Sequence, residues 1–559
     1  MAQRQRKAVS LTMLKFFDTN GRHLGRVYLC SRVTFAVELD NPYNPFPYSA
    51  LDVCLDPSSD VLANKMKCLI QDCEDSHETC ISGLSASRVM PKRLVRVDGG
   101  LQLVQASRKV RYTALSYCWG GYDKHQTQST NINAREESIE FSNLLRTLQD
   151  GILFTRKLGI AHIWIDSLCI VQDDNMDWAE ESAKMADVYS GAYVVIAATQ
   201  AKDATEGFLQ RRKDSCTTFS HSQTNKSFEV QGWRANEHRG PGYMVLDDLP
   251  LSQRGWCLQE GLLATRVVHF LPSEVYFQCR TTEVCECRLV SDVRGVATRS
   301  WPPTAGQMRE RETELILSLY WNSIALDCSR RHFTYAEDVL PALSGVAQRT
   351  ESLCPGAYIA GLWEIGIADQ LSWQVVTREA TGQFIRKVVV TRPTFSWITS
   401  PFPISYFRSV YENISPICTF IRTQVIPATT DPFGKLSYAS ITLRGQRIRV
   451  DELVSALSAS TLTAKAVQTR ITTDQGYDFC WSDYSNQIGS GFGGYDALCS
   501  VLDWSLVIGF GTIVDKENVT MLLLRWSPQD NAYIRVGLAN CVPEDWFYSH
   551  ATERTVTIV

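Results

Sequence analysis

The sequence has no long apolar run, no secretory leader, no strong excess of either charge and no repeated or low-complexity tract. The longest uncharged apolar run beside a strand pattern, Trp504 to Val514, is eleven residues. A bilayer span needs about 20, so no membrane partner is expected. The opening MAQRQRKAVSLTMLKFFDTNG lacks a clean apolar core and a small-residue cleavage site. Arg4, Arg6, Lys7 and Lys15 stand with no acid before Asp18, a faint transit-peptide pattern. The expected reading is a frayed terminus, a cytoplasmic protein and reduced thiols. Lys+Arg number 56 and Asp+Glu 60, a net charge of −4. That excludes a bulk electrostatic grip on nucleic acid or an anionic surface. There is no Walker A loop, no H-E-x-x-H, no nucleophile-elbow serine and no EF-hand loop. P-loop NTPase, zincin and serine hydrolase readings therefore fall.

What is present suits a multidomain globular chain. At about 150 residues per domain, 559 residues suggest three or four domains. Residues 1–105 read as an irregular N-terminal lead-in with a short helix over Asn64–Cys80. From Tyr112 strands and helices alternate. Tyr112–Cys118 is a short strand closed by Trp119-Gly120-Gly121. Phe141, Leu144, Leu145, Leu148 and Ile152 lie on one helical face, and Gly159 ends that helix. His162–Val171 is a second strand, bent near Asp166. Asp177 and Glu180 resemble a capping box, opening a helix with the stripe Trp178, Ser182, Met185, Tyr189, Tyr193. Tyr193–Thr199 is a third strand. The order β-α-β-α-β with short links predicts a doubly wound parallel sheet. Residues 200–250 break the rhythm and read as an insertion or lid. A helix over Pro250–Ala264 and strands at Arg266–Phe270 and Val275–Cys279 follow. The expected domains are 1–105, an α/β domain at 106–290, a helical extension at 291–375, and a mainly β C-terminal domain at 376–559. Its strands are KVVVT, YASITLRGQRIRV, SLVIGFGTIV, NVTMLLLRW and YIRVGL.

Several constellations could carry chemistry. In Arg254-Gly-Trp-Cys-Leu-Gln-Glu260, Trp256 and Glu260 are four apart and share a helix face. An aromatic plane beside a carboxylate suits a cationic ring joined to a sugar; an Arg–Glu pair on a helix is the bland reading. Ser116 through Gly121 end a strand, where open α/β sheets bind ligands; an ordinary turn with a core tryptophan looks the same. Asp166 interrupts an apolar run, which is costly unless it is paired or in a cleft; an Asx turn would satisfy it. Cys68, Cys73, His77 and Cys80 are weak candidates for zinc. The last three stand at 0, +4 and +7 on a helix, but a buried thiol stripe has the same spacing. Cys279, Cys285 and Cys287 form a similar group that could complete such a site. Gly489-Ser-Gly-Phe-Gly-Gly494 matches G-x-G-x-x-G without a strand–turn–helix setting and reads as a flexible loop.

Three blocks together resemble the fungal heterokaryon-incompatibility (HET) domain. They are YTALSYCWGG at 112–121, IWIDSLCIVQDD at 163–174 running through MADVYSGAYVVIAAT to 199, and SQRGWCLQE at 252–260. CEDSHETC at 73–80, RHFTYAEDVLPALSGVA at 331–347 and YIAGLWE at 358–364 are similar to flanking segments of the family. The resemblance implies nonself recognition between fungal cells and the programmed cell death that follows. The family in turn resembles Toll/interleukin-receptor (TIR) domains at a distance. The matching features are the strand end Leu115-Ser116-Tyr117, the strand end Ile163-Trp-Ile-Asp166 and the box Trp256 to Glu260, where Gly261 replaces the usual leucine. Some TIR domains hydrolyse NAD with the glutamate of that box, so the resemblance implies Glu260 as catalytic residue and NAD as substrate, with no certain cofactor. Ser116, Trp119, Gly120, Asp166, Arg254 and Trp256 would bind the ligand. Trp256 or Trp119 would stack on nicotinamide, and Arg254 would offset pyrophosphate charge. The expected architecture is a TIR-like α/β sheet with a helical extension and a mainly β C-terminal domain. The rival reading is a non-enzymatic, self-associating scaffold. The partner protein that such a chain recognises is not legible.

Overall fold

The computed structural model describes residues 53–81, 89–106, 109–121, 125–212, 249–286, 310–376, 393–406, 415–449 except 417, 504–543 except 514–515, and 551–559, with strands at 11–17, 23–30, 33–37, 216–221, 226–234, 470–473 and 478–480. The chain forms two compact units, Met1–Trp301 and Pro302–Val559. In the first, β1 (Leu11–Phe17) pairs with β2 (His23–Cys30), and β3 (Val33–Val37) pairs with one later strand. Then come α1 (Asp60–Ser76), β4 (Arg93–Arg96), β5 (Gln102–Gln105), β6 (Thr113–Ser116), α2 (Ile132–Glu137) and α3 (Arg146–Leu158). Next are β7 (His162–Trp164), α4 (Asp166–Cys169), α5 (Asn175–Ala183), α6 (Met185–Gly191) and β8 (Val194–Ala197). β9 (Cys216–His221) and β10 (Lys226–Arg234) precede α7 (Trp256–Leu263), β11 (Arg266–Phe270), β12 (Val275–Cys279) and β13 (Glu283–Cys285).

The main sheet has the order β13-β12-β11-β8-β6-β7-β4-β5. Its centre, β11-β8-β6-β7, is parallel, and both flanks are antiparallel. β6 and β8 are buried along their whole length, as strands covered on both faces must be. From β6 the chain moves to β7 on one side, recrosses to β8 on the other, and then goes outward to β11. The connections therefore diverge between β6 and β8, the topological switch point where α/β sheets open a crevice at their carboxyl ends.

Local details depart from the sequence expectations for identifiable reasons. β4 and β5 lie where an irregular lead-in is expected; the left-handed Gly99 supplies their turn. The second strand ends at Trp164, because Asp166 accepts the Ser167 N–H at 2.7 Å and the chain winds into α4. α5 starts at Asn175, capped by Asp174, which accepts from the N–H groups of Met176 and Asp177. The expected capping box fails there, and the stripe holds only beyond that helix, at the buried Met185 and Tyr189 of α6: Trp178 is 47% exposed, and Asp177 and Glu181 are the buried face of α5. Their burial is stabilised by Lys92, Arg93 and Lys184, a tertiary pairing that no periodicity reports. α3 begins at Arg146, after a separate turn at Phe141–Asn143, and ends at the left-handed Gly159 as expected. The 200–250 segment is not all insertion. Ala201, Ala204, Phe208 and Leu209 are core residues, and Asp150 accepts the Phe208 and Leu209 N–H groups. β10 pairs with β3 on one side and β9 on the other in a small antiparallel sheet.

The second unit holds α8 (Glu310–Ser329), α9 (Pro341–Glu351) and a nine-stranded, almost wholly antiparallel sheet. Its long strands, Leu436–Arg449, Trp504–Ile513, Lys516–Ser527 and Ala532–Pro543, cover four of the expected ones. KVVVT and the Gly489–Gly494 loop lie outside the described residues. Trp321 and Trp397 both donate their indole N–H to the Gly361 carbonyl, at 2.8 and 2.9 Å. Arg535 lies 3.6 Å over the Trp373 ring and donates to the Leu371 and Trp373 carbonyls. Buried polar atoms thus find partners inside an aromatic core. Among the described residues no helix is long and apolar enough to cross a membrane.

Candidate functional site

The residues singled out in the sequence converge on the carboxyl ends of β6 and β7. Ser116 is the last residue of β6 and pairs in register with Ala197 of β8. Its hydroxyl donates to Glu260 Oε2 at 2.5 Å, joining positions 144 apart in sequence. Glu260 stands on α7, five residues into a helix whose first turn holds Trp256. Burial pushes its carboxyl up; the Ser116 hydroxyl, the Arg254 guanidinium and the Tyr189 hydroxyl pull it down, and the Asp166 charge adds to the rise. The net shift is upward. A carboxyl that resists ionisation at the end of a parallel sheet is a functional-site signature.

Asp166, just past β7, is also raised, chiefly by burial, against the pull of Arg254 and of bonds from Trp119 and Ser167. Trp119 donates its indole N–H to Asp166 Oδ2 at 2.7 Å. Both are partly exposed, whereas Glu260 is 5% exposed. Arg254 donates to the Tyr117 carbonyl and its charge acts on both Glu260 and Asp166. One guanidinium charge therefore favours the ionised form of two carboxyls. Trp256 is half-buried and packs against the core. Gly120 and Gly121 have φ of 76° and 78°. Both adopt the left-handed conformation that glycine takes without a Cβ penalty, so the glycine pair is required by the turn itself.

Residues not singled out also take part. Tyr117 donates its hydroxyl to Ser167 at 2.7 Å, tying the β6 end to α4. Tyr189 on α6 reaches the Leu115 carbonyl at 3.4 Å as well as Glu260. Its place in the helical stripe marked it as inward-facing, but not toward a carboxylate. His269, level with Ala197 in the parallel register, lies 3.2 Å from the Thr199 hydroxyl; one histidine in an apolar strand gave no separate signal.

A second cluster lies where α1 meets β12. Cys73, His77, Cys80 and Cys279 place their ligand-type atoms within 4.8 Å of one another. Cys68 is exposed and takes no part. Five residues of helix turn it about 140° away from Cys73. The helical spacing expected for 73, 77 and 80 is also not how they meet: α1 ends at Ser76, and His77 has extended backbone.

The family model of the heterokaryon incompatibility protein (HET) matches residues 112–260. Heterokaryon incompatibility protein 6, OR allele, of Neurospora crassa is 33% identical over 93 residues, which take in 15% of this chain and 14% of that protein. No solved structure matches. The matched segment begins at the strand that carries Ser116 and closes on Glu260, the two residues that meet over the sheet. Residues 112–260 of this chain carry a heterokaryon-incompatibility (HET) domain.

Proposed function

We propose that this protein acts in heterokaryon incompatibility as a nonself-triggered cell-death signal, and that its HET domain hydrolyses the nicotinamide–ribose bond of NAD. The carrying observation is the Ser116–Glu260 contact at the β6/β8 switch point, with Asp166 and Trp119 beside it. Two carboxyls share one guanidinium, so the site leans negative once both ionise. That balance suits a cationic nicotinamidium ring and the oxocarbenium-like state that follows. The TIR-like reading of the sheet supports the same placement of the glutamate.

In this mechanism Glu260 accepts ribose hydroxyls and stabilises positive charge as the C1′–N bond breaks. The bonding pair leaves with neutral nicotinamide. Water adds to C1′ and loses a proton, giving ADP-ribose. The ring stacks on Trp119, which is partly exposed and oriented by Asp166. Ser116 positions Glu260 and exchanges its bond for the ligand. Arg254 balances Glu260 and Asp166, which leaves the pyrophosphate to backbone N–H groups of the Gly120–Gly121 turn.

A second reading has one observation in its favour. Glu260 is buried and already hydrogen-bonded, which suits a self-associating scaffold whose polar cluster only fixes the fold. Nicotinamide release from NAD, measured over a wide range of protein concentration for wild type and Glu260→Ala, separates the two. Hydrolysis predicts release that falls at least about a hundred-fold in the mutant with its folding unchanged. Absence of release at every concentration, and also after removal of 213–248, would leave the scaffold. That deletion spares Phe208 and Leu209, which the core needs.

A further inference from the structure

We infer that Cys73, His77, Cys80 and Cys279 form a structural zinc site that fastens the end of α1 to β12 of the main sheet. The geometry carries this. A tetrahedron with zinc–sulfur bonds of about 2.3 Å and a zinc–nitrogen bond of about 2.0 Å has edges of roughly 3.5–3.8 Å. All four ligand atoms lie within 4.8 Å of one another. Cys279 Sγ and His77 Nδ1, 202 residues apart in sequence, are separated by 3.4 Å. Cys73 and Cys80 are fully buried and Cys279 is 7% exposed. Four protein ligands leave no open coordination position, which is the arrangement of a structural rather than a catalytic zinc. Three soft sulfurs and one imidazole select zinc over calcium or magnesium, which take oxygen ligands.

The surroundings supply a second, independent indication. Arg266 is 1% exposed, and among the described residues no carboxylate pairs with it. Its Nε donates to Cys73 Sγ at 3.1 Å. The Thr281 and Thr282 N–H groups both point at Cys279 Sγ, at 3.4 and 3.3 Å. Buried cations and amides aimed at sulfur fit thiolates better than neutral thiols. Three thiolates, a neutral imidazole and a divalent zinc carry a net charge of −1, which the buried Arg266 offsets. A metal-free cluster of protonated thiols would leave that buried guanidinium with the Tyr193 carbonyl and ring as partners but no counter-charge.

The full-length chain, purified under reducing conditions without added chelator, tests this by metal analysis. One zinc per chain is expected to survive dialysis. Cys279→Ser and Cys80→Ser should each lower the content to below about a tenth, while Cys68→Ser should retain it. If those variants fail to fold, the wild-type chain still decides the matter. Exchange of its metal for cobalt(II) should give thiolate-to-cobalt charge-transfer bands and the intense visible bands of a tetrahedral site. Three results would overturn the inference: a folded wild-type chain with no zinc and an octahedral cobalt spectrum, a disulfide among these cysteines, or loss of metal in Cys68→Ser equal to that in Cys279→Ser.

Discussion

Glu260 is a residue whose chemistry and stability pull in opposite directions. Its folded carboxyl titrates above the usual range, chiefly because it is buried. The native state therefore binds its proton more tightly than the unfolded chain does. The penalty is absent below the unfolded pKa and grows as pH rises from there through the raised folded value. Glu260→Gln should consequently stabilise the protein at pH 7 and have much less effect at pH 4, read as melting temperature at the two pH values. Equal effects at both would mean that the Glu260 carboxyl titrates in the folded protein as it does in the unfolded chain. Asp177 shows the opposite sign. Burial raises its carboxyl, but Lys92, the Val171 N–H and Arg93 together outweigh that, and it lies below the usual range. Its contribution is present above the unfolded pKa and lost as pH falls through the folded one. Asp177→Ala leaves Arg93 buried without its partner, and should cost about 3–5 kcal/mol in chemical denaturation.

Among the elements, α3 was readable from sequence because its signals are local. Leu148 and Ile152 face the core and Gly159 stops the helix. Nothing lies within 4 Å of where a Cβ at Gly159 would stand, and its φ is +79°. Gly159→Ala should thus cost only the left-handed strain, about 1 kcal/mol, by urea denaturation. A loss several times larger would point to packing at that position. α5 departs from its sequence pattern for the complementary reason. Its buried face is polar, Asp177 and Glu181, and is held by ion pairs to Lys92, Arg93 and Lys184. Asp174, the observed cap, predicts about 1 kcal/mol lost in Asp174→Ala. The strand expected through Val171 stopped at Trp164 because one aspartate captured the next N–H, a competition that propensity alone does not rank.

For the whole molecule, the proposed zinc site would join chain segments that sequence order keeps apart. Metal binding to the native state alone stabilises it by mass action, and its ligands must be deprotonated. A chelator should therefore lower the melting temperature of the full chain, and stoichiometric zinc should restore it. A melting temperature indifferent to both would mean that the cluster contributes to packing only.

The sequence by itself determined the alternation of buried strands and helices, the family of the 112–260 segment, and the residue types at the ends of β6, β7 and α7. These depend on periods of two and 3.6 residues and on short motifs, which are properties of neighbouring positions. It also marked Cys73, His77 and Cys80. Only the tertiary structure decided that Ser116 would meet Glu260, that the Arg254 charge would act on both Glu260 and Asp166, and that Cys279 would displace Cys68 from the cluster. Those outcomes follow from strand order. The recrossing of the chain between β7 and β8 sets β6 beside β8, and α7 then carries Glu260 over the end of β6. Burial in that place is also what moves the Glu260 carboxyl off its ordinary titration, because desolvation depends on what surrounds a group and not on which residues precede it.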